Sequence, residues 1–184
     1  GRRVTSVATW RGPFAALELD GQRLGLRAHS MRELTPLPRL VDARFELALG
    51  RRDAARDLLA QAGADVSRLV ASDATRLSWQ VNLAGILLAL RAQLALADRH
   101  GTPDGEIEAY LSKIRKLETS GKRLTRIQAE VVGGVELIAG DLLASDGRHD
   151  AARDRWRAAA GRLQSQTAGD NYPVVTLVAR ARLR

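Results

Sequence analysis

Histidine has the widest chemical repertoire of any side chain in this sequence, which contains three of them. They are His29, His100 and His149. None lies three or four residues from another histidine, the spacing that helix-borne metal ligands use. Asp146 and Asp150 flank His149, so one interpretation of this segment is a metal site. We favour a solvated loop, because a near copy of the segment earlier in the chain has Arg52 in place of His149.

The other reactive residues form no catalytic motif. The chain has no cysteine, which excludes a disulfide scaffold, a thiolate metal site and a cysteine nucleophile. It has no G-x-S-x-G nucleophile elbow, no P-loop and no dinucleotide fingerprint. We therefore expect a protein that is not an enzyme and that carries no cofactor and no resident metal.

Six basic residues are concentrated in one short stretch, with Glu118 as the only acidic residue among them. The favoured interpretation is a solvated edge of the fold. The alternative is a surface for an acidic partner or a nucleic-acid backbone, although Tyr110 is the only aromatic residue nearby and single-strand binding uses stacked aromatics. The six residues are Lys113, Arg115, Lys116, Lys122, Arg123 and Arg126.

Gly133 and Gly134 interrupt a helical pattern, and each interior glycine costs a helix roughly 1 kcal/mol relative to alanine. The favoured explanation is close packing against a neighbouring helix. The other two are a notch that lines a ligand or peptide groove, and a break in the helix. With the six basic residues, these glycines complete the set of candidate partner-binding residues.

The net charge of +8 invites a nucleic-acid interpretation, but its origin is compositional. The chain has 26 arginines and 3 lysines, a bias expected of a GC-rich bacterial genome, and the excess charge is spread along its length. Nucleic acid is therefore a secondary expectation. The sequence has no uninterrupted apolar run of membrane-spanning length and no signal peptide, so we expect no membrane span; a cytoplasmic and a periplasmic location both stay open.

Residues 1–30 follow a strand pattern. Asp20-Gly21 favours a type I′ turn, and pairing across it sets Leu17 opposite Leu24 on one face and Glu18 opposite Arg23 on the other. These residues are predicted to form a small β-hairpin or meander, as an appendage or as the end of an upstream domain.

The apolar spacing becomes helical from Arg39, which predicts a mainly α-helical domain over residues 37–184. Pro36 and Pro38 disfavour helix, so His29 to Pro38 is predicted to be a connector. The first helix is expected to end at Gly50. A short second helix follows, with Asp53 as its N-cap, and a polar linker is predicted over residues 63–75.

Further helices are predicted in the second half of the chain. Ser78 to Arg99 forms a long helix with Leu83, Leu87, Leu90, Leu94 and Ala97 on one face. A shorter partner helix contains Ile107 to Leu117. Next come a long helix with Leu124, Ile127, Val131, Val135, Ile138 and Leu142 on its apolar face, a helix with Ala152 to Leu163, and a last helix from Tyr172.

One phrase occurs twice in the chain. Residues 50–57 read G-R-R-D-A-A-R-D and residues 147–154 read G-R-H-D-A-A-R-D. Gly101 and Asp104 keep the same glycine and aspartate spacing between these two copies. Self-similarity at such spacing is typical of a helical repeat array.

This phrase resembles the turn between helices of the tetratricopeptide (TPR) family, in which a glycine turn is followed by a small residue on the second helix. The residues that carry the resemblance are Ala48 to Ala55 and Ser145 to Ala152. We expect Gly50 and Gly147 each to end a helix, and Ala55 and Ala152 to be buried at helix–helix contacts. The spacing of 46 to 51 residues exceeds the usual repeat length, so the resemblance implies an irregular long-helix variant. The expected fold is a solenoid of helical hairpins, and the expected function is binding of a protein or peptide as a scaffold or sensor.

Two alternatives for function stay open. In the first, the chain is a regulatory or effector region of a bacterial transcriptional regulator or signalling enzyme. In the second, it binds nucleic acid through the basic stretch. In each case we expect the C-terminal part of a larger bacterial protein. The last helix carries the apolar residues Val174, Val175, Leu177, Val178 and Leu183. We expect it either to continue into a further repeat in the parent protein or to be covered by a second copy of the chain, in which case the chain self-associates.

Overall fold

The structure is a computed structural model that describes residues 36–72, 79–99 and 103–164. These residues form six α-helices and one π-helical turn, so the mainly α-helical prediction is confirmed for them. The β-hairpin predicted for residues 1–30 and the last helix predicted from Tyr172 lie outside the described residues. The elements are α1 (Pro36–Ala48), α2 (Arg52–Ser72), the π turn (Trp79–Leu83), α3 (Ala84–Asp98), α4 (Asp104–Thr119), α5 (Arg126–Ser145) and α6 (His149–Gln164).

Ion pairs between α1, α2 and α3 show that these helices run antiparallel in sequence order. Arg39 near the start of α1 pairs with Asp65 in the second half of α2. Arg52 at the start of α2 lies 3.5 Å from Asp98 at the end of α3. Because α2 is antiparallel to both of its neighbours, α1 and α3 point in the same direction.

The π turn and α3 are joined to α4 in the same antiparallel manner. Arg91 in the middle of α3 lies 3.2 Å from Glu106 in the first turn of α4. The Tyr110 hydroxyl, further along α4, donates a 2.8 Å hydrogen bond to the carbonyl oxygen of Val81 in the π turn. Burial raises the pKa of Tyr110, so its hydroxyl keeps the proton that it donates.

Two glycines on α5 receive large side chains from α6. A Cβ on Gly133 would lie 2.8 Å from Leu163 Cγ, and a Cβ on Gly140 would overlap the Trp156 ring. Gly133 and Gly140 are seven residues apart on α5, and their partners Leu163 and Trp156 are seven residues apart on α6 in the opposite order. The two helices therefore form an antiparallel hairpin in a fixed register. The prediction of close helix packing at Gly133 is therefore confirmed, and α5 runs unbroken through it.

Arg162 on α6 joins three helices through a partly buried ion pair network. Its guanidinium Nε lies 3.2 Å from Oε2 of Glu136 on α5, and its Nη1 bonds Glu118 at the end of α4. Burial acts to lower the pKa of Arg162, but its hydrogen bonds to Glu118 and Glu136 outweigh burial and raise the pKa. Arg155 also pairs with Glu108, so α6 runs in the same direction as α4.

The two copies of the repeated phrase have the same local structure. Gly50 has φ +75° and Gly147 has φ +76°, the left-handed conformation that favours glycine. In both turns the next residue, Arg51 or Arg148, donates its backbone N–H to the carbonyl five residues earlier. This is a Schellman motif, which ends the first helix and satisfies its last carbonyls.

The aspartates of the phrase have a different role from the one predicted. Asp53 lies in the first turn of α2, one residue inside the helix, and is therefore not its N-cap. It accepts from Arg56 in an i, i+3 ion pair, and Asp150 does the same for Arg153 at 2.7 Å. A carboxylate in a first helical turn still favours the helix through the macrodipole.

Two predicted boundaries are wrong. The connector was expected to extend through Pro38, yet α1 begins at Pro36 because the first helical turn tolerates proline, whose missing N–H would have no partner there. The polar linker over residues 63–75 is helical as far as Ser72. Ala62 and Val66 are buried, and the site beside Gly63 is occupied by Arg91 of α3. Tertiary packing thus overrides the low helix propensity of Gly63.

The core consists of clusters that follow the chain order. One joins α1, α2 and α3, a second joins the π turn with α3, α4 and α5, and a third joins α5 and α6. Leu83, Leu87, Leu90 and Leu94 are buried as predicted, whereas Ala97 is exposed. Ile127 was assigned to the buried face of α5, but it is 63% exposed.

Ala152 should tolerate no larger side chain. It is fully buried at the start of α6, as Ala55 is at the start of α2. We expect Ala152→Leu to lower the free energy of unfolding by roughly 1–3 kcal/mol, because the turn leaves no space for the added carbons. Thermal unfolding measures this, with Ala158→Leu on the exposed side of α6 as the matched control. Equal melting temperatures for the two variants would contradict the packing of this turn.

Candidate interaction surface

The six basic residues that were singled out as a candidate partner-binding surface lie at one end of the fold. Three are on the second half of α4, Lys122 and Arg123 are in the following turn, and Arg126 is the first residue of α5. All six are exposed. Thr125 and Gln128 fix this end of α5 with a capping box, in which the Thr125 N–H donates to Gln128 Oε1 at 2.8 Å. We call these six residues the basic edge.

The basic edge differs from the rest of the described surface in its ion pairing. Only Arg126 has an acidic partner, Glu130 at 3.2 Å; the other five form no ion pair within the described part of the chain. Most arginines elsewhere are paired with carboxylates. These paired residues are Arg39, Arg51, Arg52, Arg56, Arg68, Arg91, Arg153, Arg155, Arg157 and Arg162. The positive charge of the basic edge is therefore available to a partner.

Gly133 and Gly134 are adjacent in sequence but face different surroundings. The site of a Cβ on Gly133 is filled by Leu163, as described above. A Cβ on Gly134 would meet no atom within 4 Å. Gly134 instead lines an open groove of about 370 Å³. Packing therefore explains Gly133, and the groove interpretation fits Gly134.

The groove is formed by α1, α3 and α5, the first helix of each hairpin. We call it the first-helix groove. Both α1 and α5 pack on α3, which lies between them and forms the floor. The volume is within the range of small-ligand sites, and most of the lining is apolar. Residues of the lining include Leu37, Val41 and Arg44 from α1, Ile86, Ala89 and Gln93 from α3, and Glu130, Val131, Gly134 and Ile138 from α5.

The charged residues at the edge of the groove differ in whether they form an ion pair or a hydrogen bond within the described structure. Glu130 is paired with Arg126, and Asp141 accepts the Trp156 indole N–H at 3.1 Å. Arg44, at the other wall, is exposed and forms no ion pair within the described residues. Arg44 is therefore the charged lining residue that is available to an acidic group of a partner.

Ile127 extends the groove toward the basic edge. Ile127 lies three residues before Glu130 and four residues before Val131, both of which line the groove. It therefore shares their face of α5 and is about one turn nearer the N-terminus of that helix. An isoleucine that is 63% exposed beside an apolar groove enlarges the surface available to a partner. The predicted stripe of α5 is divided: Val131 and Ile138 line the groove, whereas Val135 and Leu142 are buried in the core.

Gly85 sets how closely α5 approaches the groove floor. A Cβ on Gly85 would lie 2.5 Å from the Tyr110 hydroxyl oxygen and would overlap Val131. The glycine thus allows α3, α4 and α5 to meet at one point. Neither Gly85 nor Arg44 was a candidate from the sequence, because their importance depends on helices that are distant along the chain.

A smaller cavity of about 330 Å³ lies between α4, α5 and α6. Its lining includes apolar residues of α4, α5 and α6 as well as Glu108 and Arg155, which pair with each other. The described residues contain no group of three histidine, cysteine, aspartate or glutamate side chains that could hold a metal ion. Asp146 at the end of α5 and His149 and Asp150 at the start of α6 are all exposed, and His29 and His100 lie outside the described residues.

Among the residues that the structure describes, one helical segment is long and apolar enough to cross a membrane by length and composition. It is Val81–Asp98, 18 residues with a mean hydropathy of 1.4. Half of this segment is buried inside the fold, where α3 contacts α1, α2, α4 and α5. A central core helix has the same composition, and the absence of a membrane span stays a prediction.

Comparison with known proteins gave no match. No protein-family model, no curated protein and no solved structure resembles the chain at a significant level. The functional interpretation therefore depends on the first-helix groove and the basic edge.

Proposed function

We propose that this chain is a non-catalytic interaction module that binds a segment of a partner protein in the first-helix groove. The observation that carries the proposal is an open, mostly apolar groove lined by three helices and kept clear at Gly134. We further propose that the three hairpins form a short TPR-like solenoid. In such arrays the small rotation from one hairpin to the next produces an extended concave surface for binding.

An interaction module of this kind could act as a scaffold, as a sensor or as a regulatory region. These roles differ in whether the bound segment comes from another protein or from the same parent protein. A scaffold or sensor binds a separate protein. A regulatory or effector region of a transcriptional regulator or signalling enzyme binds a segment of its own parent. The same groove serves each role, so the first experiment tests whether the groove binds a peptide.

Replacing Gly134 with leucine should block binding without harming the fold. The new side chain points into the groove, where no atom lies within 4 Å of the Cβ position. Leucine is also a better helix former than glycine, by roughly 0.5–1 kcal/mol. We expect peptides selected from a phage-displayed random 15-residue library on the wild-type protein to lose at least tenfold in affinity for Gly134→Leu.

The matched control is Gly161→Leu on α6. Gly161 is exposed, and its Cβ position is equally free of neighbours, but it lies away from the groove. Gly161→Leu should bind the selected peptides like the wild type. Either failure to select any peptide, or equal binding to wild type and Gly134→Leu, would refute the proposed function.

Nucleic-acid binding through the basic edge is the second candidate function. It is favoured by the five basic residues that form no ion pair in the described structure. Its signature is an affinity that falls steeply with salt, because phosphate contacts release counterions. It requires neither Gly134 nor the apolar lining, so the two functions are separable.

A further inference from the structure

The walls of the first-helix groove offer no free backbone groups that could pair with an extended ligand. Helices α1, α3 and α5 use their backbone N–H and C=O groups internally, and the described residues include no strand edge. An extended peptide in this groove would leave its own buried backbone groups without partners, at a cost for each of them. A helical ligand satisfies its backbone internally and presents only side chains to the groove.

The length of the groove limits the length of the helix. On α5 the lining runs from Glu130 to Asp141, a rise of about 16 Å at 1.5 Å per residue. Ile127 adds nearly one further turn at the end next to the basic edge. An antiparallel or parallel ligand helix of three to four turns matches this length.

The charges at the two ends of the groove favour an acidic ligand. Lys122 and Arg123 lie in the turn that leads into α5 at the Ile127 end, and neither forms an ion pair in the described structure. Arg44 lies toward the opposite end, because α1 and α5 point in the same direction and Arg44 is the last of the lining residues of α1. The rim acids Glu130 and Asp141 already have partners.

We infer that the groove binds an amphipathic α-helix of three to four turns, with an apolar stripe and with acidic side chains at both ends. The apolar stripe contacts Ile86, Gly134 and Ile138. One acidic end pairs with Arg44, and the other pairs with Lys122 and Arg123. This inference depends on the proposed function and specifies the class of partner.

The C-terminal segment of the chain does not fit this description. Residues 172–184 contain the apolar stripe but carry Arg180, Arg182 and Arg184 and no acidic residue. A cationic segment would place its charge against Arg44 and the basic edge, and like charges near one another are repelled. The partner is therefore a different, acidic helix.

The test uses three fluorescein-labelled synthetic 15-residue peptides and the full chain. The first has leucines at helical spacing and two glutamates at each end. The second has lysines in place of the glutamates, and the third is the first with a central proline, which breaks the helix. Fluorescence anisotropy at 0.15 M salt is expected to show the glutamate peptide binding about tenfold tighter than either of the others.

Charge reversal in the protein tests the predicted contacts. Arg44→Glu and Arg123→Glu should each weaken the glutamate peptide about threefold to tenfold and strengthen the lysine peptide. Arg148→Glu is the control, since Arg148 is exposed, forms no ion pair in the described residues and lies in the α5–α6 turn. It should change both affinities less than twofold.

Each other outcome overturns the inference in a defined way. Preference for the lysine peptide or for a peptide of residues 172–184 would show a basic ligand, including a second copy of this chain. Equal binding of the proline peptide would show an extended ligand. Tighter binding of a 15-nucleotide single strand, insensitive to Gly134→Leu, would show nucleic acid. If no synthetic peptide binds while library peptides still require Gly134, the inference fails and the proposed function stands.

Discussion

Arg162→Leu is expected to destabilise the protein by about 3 kcal/mol. The substitution leaves Glu136, whose side chain is 8% exposed, as a buried carboxylate without its cation. Breaking a buried ion pair costs about 3–5 kcal/mol, and the lower end applies because the Arg162 side chain remains 19% exposed. Urea unfolding monitored by circular dichroism measures the change in the free energy of unfolding.

A second substitution separates the buried charge from general packing. Glu136→Leu in the Arg162→Leu background removes the unpaired carboxylate, so most of the lost stability should return. Arg157→Leu is the surface control, because Arg157 and Asp154 form an ion pair with both side chains 75% exposed and such pairs contribute little. If the double variant were no more stable than Arg162→Leu, the effect would belong to packing of the Arg162 side chain.

The contact between Gly133 and Leu163 should behave as a size-matched pair. Leu163→Ala removes a fully buried side chain and is expected to cost about 2–5 kcal/mol. Gly133→Ala places a Cβ 2.8 Å from Leu163 Cγ and is expected to cost roughly 1–2 kcal/mol after the gain in helix propensity. The double variant should be more stable than the sum of the two losses predicts, because the new Cβ occupies part of the space that Leu163 leaves.

The neighbouring glycine supplies the control for this pair. Gly134→Ala adds the same methyl group to the same helix but points it into the first-helix groove, so it should stabilise the protein by up to about 1 kcal/mol. Thermal unfolding is measured for Gly133→Ala, Leu163→Ala, the variant with both substitutions, and Gly134→Ala. Equal effects of Gly133→Ala and Gly134→Ala would contradict the different surroundings of the two residues.

Local sequence signals predicted the turns and the buried small residues. Gly50 and Gly147 end their helices with positive φ, and Ala55 and Ala152 are buried, because a left-handed stop and a close helix approach each depend on a few adjacent residues. The stripe of leucines on α3 was predictable for the same reason. The capping box at Thr125 and Gln128 also has a local sequence signature, the Thr-x-x-Gln spacing at the start of an apolar helix.

Features that depend on distant helices were not predictable. The helical pattern on α5 shows that Ile127, Val131 and Ile138 share a stripe, but only the positions of α1 and α3 show that part of this stripe faces an open groove. The residues around Gly63 look like a linker because their local propensity is low, and burial against α3 makes them helical. Two adjacent glycines have the same propensity, so sequence alone could not distinguish Gly133 from Gly134.

The order of packing along the chain has a consequence for how such a protein can lengthen. The principal contacts among the described helices join elements that are neighbours or next neighbours in sequence. If a hairpin were duplicated within the gene, the new copy could pack on its neighbours through the same surfaces that the original hairpin uses. The contacts in the rest of the chain would not change. Residues 50–57 and 147–154 are identical at seven of eight positions and have the same turn geometry, a match of the kind that such a duplication would leave.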